Sequence, residues 1–239
     1  MKRVTIVVIA ILFVSSGCAW FKTKEEKSAN ELIAEGMEYF EDGNYKEAVK
    51  SFQQLKDWYP FSKYAILAEL KVADAHFHEE QYDEAIFAYE EFETLHPRNE
   101  AIPYVIYQIG RCYFEQVDTI DRDQSNTHKA LDTFNRLIKT YPDNEYSKKA
   151  LAHWTQCQKL MAGHDMYVGK YYYKGKHYKA ALHRFESVLY TYPDVGVHHQ
   201  ALHHIAVCEQ TMEDEAAKGR PREGSPEKKP PLWKVLKFW

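Results

Sequence analysis

Histidine and aspartate are the residues whose spacing in this chain invites a chemical reading. His199 and His203 stand four apart and would share one helix face, with His198 and His204 beside them. Two such imidazoles are half of a zinc site. The metalloprotease pattern, however, requires glutamate directly after the first histidine, where this chain carries Gln200, and the sequence supplies no third ligand. The four histidines therefore read as a solvated or interfacial helix face. Asp118, Asp121 and Asp123 cluster as calcium ligands do, but the EF-hand spacing and its glycine are missing. Neither a nucleophile elbow nor a phosphate-binding glycine loop occurs. No catalytic residue, metal or cofactor is assigned on these motifs, and the chain reads as a non-enzyme.

The elements behind these side chains follow one rule. From Gly36 the steps of 12, 4 and 8 residues lead to Ala48, Phe52 and Pro60; the same steps lead from Ala73 to Ala85, Tyr89 and Pro97, and from Gly169 to Ala181, Phe185 and Pro193. The spacing describes two antiparallel helices, A and B. The small residue lets A approach B, and the aromatic one turn after the alanine shares its buried face. The proline closes B, because it has no N–H to donate and restricts the residue before it, here Tyr59, His96, Tyr141 or Tyr192. This resembles the tetratricopeptide repeat (TPR) pattern. The predicted fold class is all-α, a TPR superhelical solenoid of about four and a half to five repeats.

The 239 residues carry a formal charge of -4 and a pI near 6.3, which provides no electrostatic reason to expect nucleic acid as a partner. The 18 tyrosines suit a repeat whose core and groove are both aromatic. At the N-terminus Lys2 and Arg3 precede an apolar run of eleven, Val4 to Val14, too short for the roughly 20 residues of a membrane span. Ser15-Ser16-Gly17-Cys18 follows and resembles a bacterial lipobox, with Ser15 where leucine is usual. The expected boundaries are a lipoprotein signal peptide at 1–17, a lipidated tether at 18–29, the TPR region at 30–214 and a Pro-rich tail at 215–239. In the pathway that this motif resembles, Cys18 becomes a diacylated, palmitate-bearing N-terminus. Ala19 is not the aspartate of inner-membrane retention, which implies the outer membrane. Two acyl chains anchor stably where one is marginal.

The rule predicts helices from about Asn30 to Glu41 and Tyr45 to Tyr59, with Asp42-Gly43-Asn44 turning between them. Repeat two is expected to start at the N-cap Ser62 and to turn at Glu79-Glu80-Gln81. In repeat three the step from Gly110 to Ala130 is 20, so eight extra residues fall around Val117 to Asn126. Pro142 to Gly169 is 27 against 13 for Pro60 to Ala73, which predicts one long helix over about Glu145 to Tyr173, with kink points at Gly163 or Gly169. A fifth helix A is expected from Val197 to Asp214, and no second helix with the pattern follows it. Instead Lys218 to Pro231, with four prolines, leads to Leu232-Trp233-Lys234-Val235-Leu236-Lys237-Phe238-Trp239. As a helix, that segment would place Leu232, Val235, Leu236 and Trp239 on one side. It reads either as a cover over the fifth helix or as a docking peptide or interfacial anchor.

Cys112 and Cys208 hold equivalent positions two repeats apart. With helices about 8–10 Å apart per step, that is too far for the roughly 7 Å Cα separation of a disulfide. Cys112, Cys157 and Cys208 read as buried small hydrophobes, and a Cys112–Cys157 bridge stays open. In a TPR groove, residues one after or three before the small residue point inward. Here those are Met37 and Ile33, Asp74 and Leu70, Arg111 and Tyr107, with Phe40, Phe77 and Phe114 a turn further on. Exposed, they form a trough for extended peptides with aromatic side chains, and the alternative is packing between repeats.

At WYPFSKY, Trp58 to Tyr64, the resemblance narrows. That motif, PYVIYQIG at Pro103 to Gly110, the inserted Asp121-Arg122-Asp123, YPDNEY at Tyr141 to Tyr146 and HRFESVLYTYP at His183 to Pro193 together resemble the BamD family. These are the TPR lipoproteins of the outer-membrane β-barrel assembly machinery. The resemblance implies a scaffold in the cell outer membrane, facing the periplasm of a Gram-negative bacterium. Its N-terminal repeats would recognise unfolded outer-membrane protein peptides, with Tyr59, Phe61 and Tyr64 completing the groove. Its C-terminal repeats would dock a POTRA domain of the BamA-type barrel subunit through Arg184 and Glu186. Other assembly-machinery lipoproteins are further implied partners. The alternative is another periplasmic TPR adaptor of cell division or envelope coordination. That type usually lacks the anchor and carries an N-terminal coiled coil, which this chain does not show.

Overall fold

The structure is a computed structural model and describes residues 26–218. The signal segment, Cys18 and the tail from residue 219 onward lie outside the described residues. The chain divides into two compact units, Met1–Ala68 and Glu69–Trp239. The described residues are all-α, in helix pairs of the TPR type: α1 (Ala29–Glu41), α2 (Tyr45–Trp58), α3 (Ala65–His78), α4 (Tyr82–Leu95), α5 (Ile102–Glu115), α6 (Ser125–Thr140), α7 (Glu145–Lys174), α8 (Tyr178–Thr191) and α9 (His198–Ala217).

In the first unit α1 starts on a capping box. The Glu31 N–H donates to Ser28 Oγ at 3.3 Å and the Ser28 N–H donates back to Glu31 Oε2 at 2.7 Å. The Ser28 N–H, and with it the Ser28 hydroxyl donating to the same Oε2 at 2.8 Å, hold the Glu31 carboxyl below its ordinary range. Gly43, at φ 74°, makes the turn into α2, where a side chain would be strained. Phe52 then lies directly on Gly36, where an added Cβ would fall 2.4 Å from the ring. Leu32, Ala48, Phe52 and Leu55 are fully buried.

The second unit repeats the device. A Cβ on Gly110 would lie 2.5 Å from the Phe134 ring, and one on Gly169 2.5 Å from Phe185. Where the small residue is Ala73, the ring is Tyr89, which is fully buried and donates its hydroxyl to Asp74 Oδ1 at 2.8 Å. Successive helices from α4 to α9 pack on one another, and α5 also meets α7. Pro103 sits in the first turn of α5. The inserted residues form the connection between α5 and α6, where Gln124 Nε2 donates to the carbonyls of Thr119 at 2.9 Å and Arg122 at 3.1 Å.

The structure departs from the sequence expectation by three residues at two helix ends. α3 begins at Ala65 rather than Ser62, because Ser62 is held in a turn: its N–H donates to the Tyr59 carbonyl at 2.9 Å and its Oγ accepts from the Tyr64 N–H at 3.3 Å. α9 runs three residues past the predicted Asp214. α7 continues for 30 residues through both glycines as one helix. Gly169 is occupied by Phe185 and Gly163 faces Ile120 of the insertion, so each glycine serves a close approach. Cys112, Cys157 and Cys208 are all buried and free, with burial pushing the thiols of Cys112 and Cys157 up to about 12 and that of Cys208 to about 11.

Gly110→Ala tests the ring-on-glycine contact. The Phe134 ring is fully buried and has no open side to move into. The variant is expected to lose about 1–3 kcal/mol by urea unfolding, as for overpacking of a dense core. Gly43→Ala, with nothing within 4 Å, should lose stability only through its backbone conformation.

Candidate partner-binding surfaces

In the first unit the segment between α2 and α3 is pinned at both tyrosines. The Tyr59 hydroxyl donates to the Lys27 carbonyl at 3.0 Å and the Tyr64 hydroxyl to Asn30 Oδ1 at 2.7 Å, with Lys63 Nζ 4.9 Å from the Tyr64 ring centre. Between them Phe61 stands 100% exposed. Trp58, Ile66 and Leu67 are exposed as well. Met37 and Phe40 are half-buried, and Phe40 meets Tyr45 edge-on at 5.3 Å. Ile33 departs from the trough reading: it is buried, because α1 seats Leu32 and Ile33 together in the core.

The second unit's trough residues are largely engaged with one another. Asp74, expected to face a groove, is buried and accepts from the Tyr89 and Tyr104 hydroxyls at 2.8 and 2.7 Å and from Lys71 Nζ at 2.8 Å. That carboxylate and burial push both tyrosine pKa values up, burial being the larger cause. Phe77 is buried under the Arg111 guanidinium, 4.5 Å from the ring centre, and Arg111 also reaches Glu115 at 3.3 Å. Leu70 is partly buried against the same core. Tyr107 packs among Phe134, Tyr146 and His153, and Phe114 meets His153 at 4.7 Å. Packing between repeats therefore takes most of these side chains, with Arg111 and Tyr107 half-buried at its edge.

Arg184 has a distinct environment. Its Nη1 donates to Asp165 Oδ1 at 2.8 Å, while Asp165 Oδ2 accepts from Ser187 Oγ at 3.2 Å and the Tyr192 hydroxyl at 3.0 Å. The Asp165 side chain is 7% exposed and that of Arg184 43%. They line a cavity of about 430 Å³ with Asp123, Gln124, His128 and His164. The insertion closes onto α7 here, the Ile120 carbonyl lying 2.7 Å from His164 Nδ1. Glu186, half-buried, is not part of this lining; two residues along a helix is about 200° around it, so it faces away from Arg184.

The residues that opened the sequence reading do not converge. His198 Nε2 lies 3.1 Å from the Tyr192 carbonyl, His204 stacks on Phe185 at 4.9 Å, and His199 and His203 are exposed on α9. Asp118 and Asp121 accept from Thr119, and Asp123 from the Ser125 N–H, as turn acceptors. Among the described residues no group of three or more His, Cys, Asp or Glu could hold a metal ion. No described helix is long and apolar enough to cross a membrane.

The model of the YfiO family, described as outer membrane lipoprotein, matches residues 25–222. The chain belongs to this family. Curated relatives of the family are named outer membrane protein assembly factor BamD. That of Caulobacter vibrioides is 31% identical over 78% of this chain and 63% of its own length, so this chain spans less than two thirds of that relative. Those of Rickettsia prowazekii and Neisseria meningitidis serogroup A are 29% and 26% identical, over 77% and 79% of this chain and 74% of each relative. Among solved structures, a MamA protein aligns over 83% of this chain and 97% of its own at 13% identity, with a TM-score of 0.40.

In this family member Asp165, Ser187 and Tyr192 escaped the sequence reading. Asp165 holds the register position four before the small residue, where Leu32 and Ile106 are core, and a carboxylate there is the signal that could have found it. Repeat two carries the parallel, with Glu69 Oε2 2.6 Å from His96 Nε2. In both cases the partner is the residue before the helix-closing proline. Asp165→Ala, which strips three donors of their acceptor, is expected to cost about 1–3 kcal/mol by urea unfolding. Tyr192→Phe should cost about 0.5–1.5 kcal/mol alone and nearly nothing in the Asp165→Ala background, the non-additivity of one network.

Proposed function

We propose that this chain is an outer-membrane-anchored periplasmic scaffold of the β-barrel assembly machinery. It binds a POTRA domain of the BamA-type barrel subunit and unfolded outer-membrane protein peptides, and it performs no catalysis. The observation that carries the reading is the family match over residues 25–222, together with relatives named as outer membrane protein assembly factors. Cys18 is the lipid anchor that holds it at the membrane, and other assembly-machinery lipoproteins are further partners.

Arg184 suits the barrel-subunit contact. Asp165 holds the guanidinium from one side, and the exposed remainder lines a polar cavity, where it can take a partner carboxylate by paired hydrogen bonds. Phe61 suits substrate binding, being an exposed aromatic on a turn tied down at both ends, so little order is lost when a peptide covers it. Met37, Phe40 and Tyr64 belong to the same unit's surface. In the second unit Tyr107 and Arg111 are the trough residues left with exposed area.

Co-purification with the barrel subunit tests the reading. Arg184→Ala is expected to weaken the complex about tenfold or more, a loss of roughly 1.4 kcal/mol. Full retention of binding removes Arg184 from the contact. Phe61→Ala is expected to reduce crosslinking to an aromatic-rich outer-membrane protein peptide several-fold while leaving the melting temperature unchanged.

A further inference from the structure

The repeat register exposes an incomplete hairpin at α9. In repeats one, three and four the small residue of helix A and the residue four before it are buried: Leu32 with Gly36, Ile106 with Gly110 and Asp165 with Gly169; in repeat two Ala73 is buried and Glu69 half-buried against His96. The equivalent pair on α9 is Leu202, 55% exposed, and Ala206, also exposed. The other side of α9 is seated. Ala201 and Cys208 are fully buried, His204 stacks on Phe185, and Tyr173 Oη lies 3.2 Å from Thr211 Oγ1. Among the described residues, then, α9 is packed where α7 and α8 meet it and open where a second helix would lie. Glu209 and Glu213 continue the open stripe, each seven residues on from Leu202 and Ala206.

We propose that Leu232–Trp239 of the same chain packs on this stripe, where the other repeats have their helix B. Its apolar residues Leu232, Val235, Leu236 and Trp239 fall at the i, i+3, i+4, i+7 spacing of one helix face. The two glutamates match its Lys234 and Lys237 in charge. The repeats place an aromatic over the small residue, and the segment carries Trp233, Phe238 and Trp239. Reach is ample, since residues 218–231 can span more than 40 Å extended, whereas α9 with its 20 residues is about 30 Å long. The tail then completes the fold of the C-terminal repeat, a role separate from the assembly function.

The test compares the full chain with one lacking Pro230–Trp239. Removing the cover is expected to lower the melting temperature by about 2–4 °C or more and to speed amide exchange in α9 about tenfold. A synthetic peptide of residues 230–239 should restore protection in the shortened chain and fail to do so when that chain carries Leu202→Glu. Unchanged melting and exchange on deletion would overturn the proposal and leave the stripe to a separate partner. Concentration-dependent self-association of the full chain, abolished by Leu202→Glu, would overturn it in favour of a second copy.

Discussion

The close approach of an aromatic ring to a glycine is the contact on which three of the completed hairpins rest, alanine standing in at Ala73 in the other. At Gly36, Gly110 and Gly169 the same three ring atoms of Phe52, Phe134 and Phe185 occupy the space a Cβ would need. The missing methyl lets the helices close until the ring is fully enclosed, and truncating such a ring typically costs about 3–5 kcal/mol. The next helix then covers the ring's outer side: His153 stacks on Phe134 at 5.5 Å and His204 on Phe185 at 4.9 Å. Both imidazoles are held below their ordinary pKa, chiefly by burial. His204, one of the histidines that resembled ligands in the sequence, is thus structural, and like His153 it serves as a lid over a repeat core.

The position four residues before the small residue sets the character of each repeat. Leucine or isoleucine there, as at Leu32 and Ile106, gives an inert core. An acid there, as at Glu69 and Asp165, must find a donor once it is withdrawn from water. The donor comes from the residue just before the helix-closing proline, which the chain has already brought back alongside helix A. Asp165 gains Arg184 as well, so a structural need of the fourth repeat orients a cation at the rim of a polar cavity. Leaving Leu202 exposed at the same position is the exception that points to a missing cover on α9.

Much of the fold is legible in the chain because the repeat constrains distance along the sequence. The 12, 4, 8 register located the hairpins, the insertion between α5 and α6, and the unbroken α7, with most predicted ends within a few residues of those found. Ser62 was misjudged because a serine before an apolar run caps a helix or closes a turn equally well, and the pinned Tyr59 and Tyr64 decide for the turn. Ile33, Asp74 and Phe77 read as groove residues because they lie near the small residue. A repeat helix is covered on more than one side, and periodicity alone does not tell a groove from an inter-repeat seam.

The sequence by itself determined the helix faces on which the small residue, the alanine and the aromatic meet, the approximate helix ends and where the repeat rule breaks, since glycine, alanine and proline act through local backbone geometry. Only the tertiary structure decided which polar groups meet. Tyr104 reaches Asp74 from 30 residues away and Tyr192 reaches Asp165 from 27. Such pairings follow from how neighbouring helices stack, and no spacing along one helix encodes them. The tether on Arg184, the burial of Asp74 and the full exposure of Phe61 all belong to that second class.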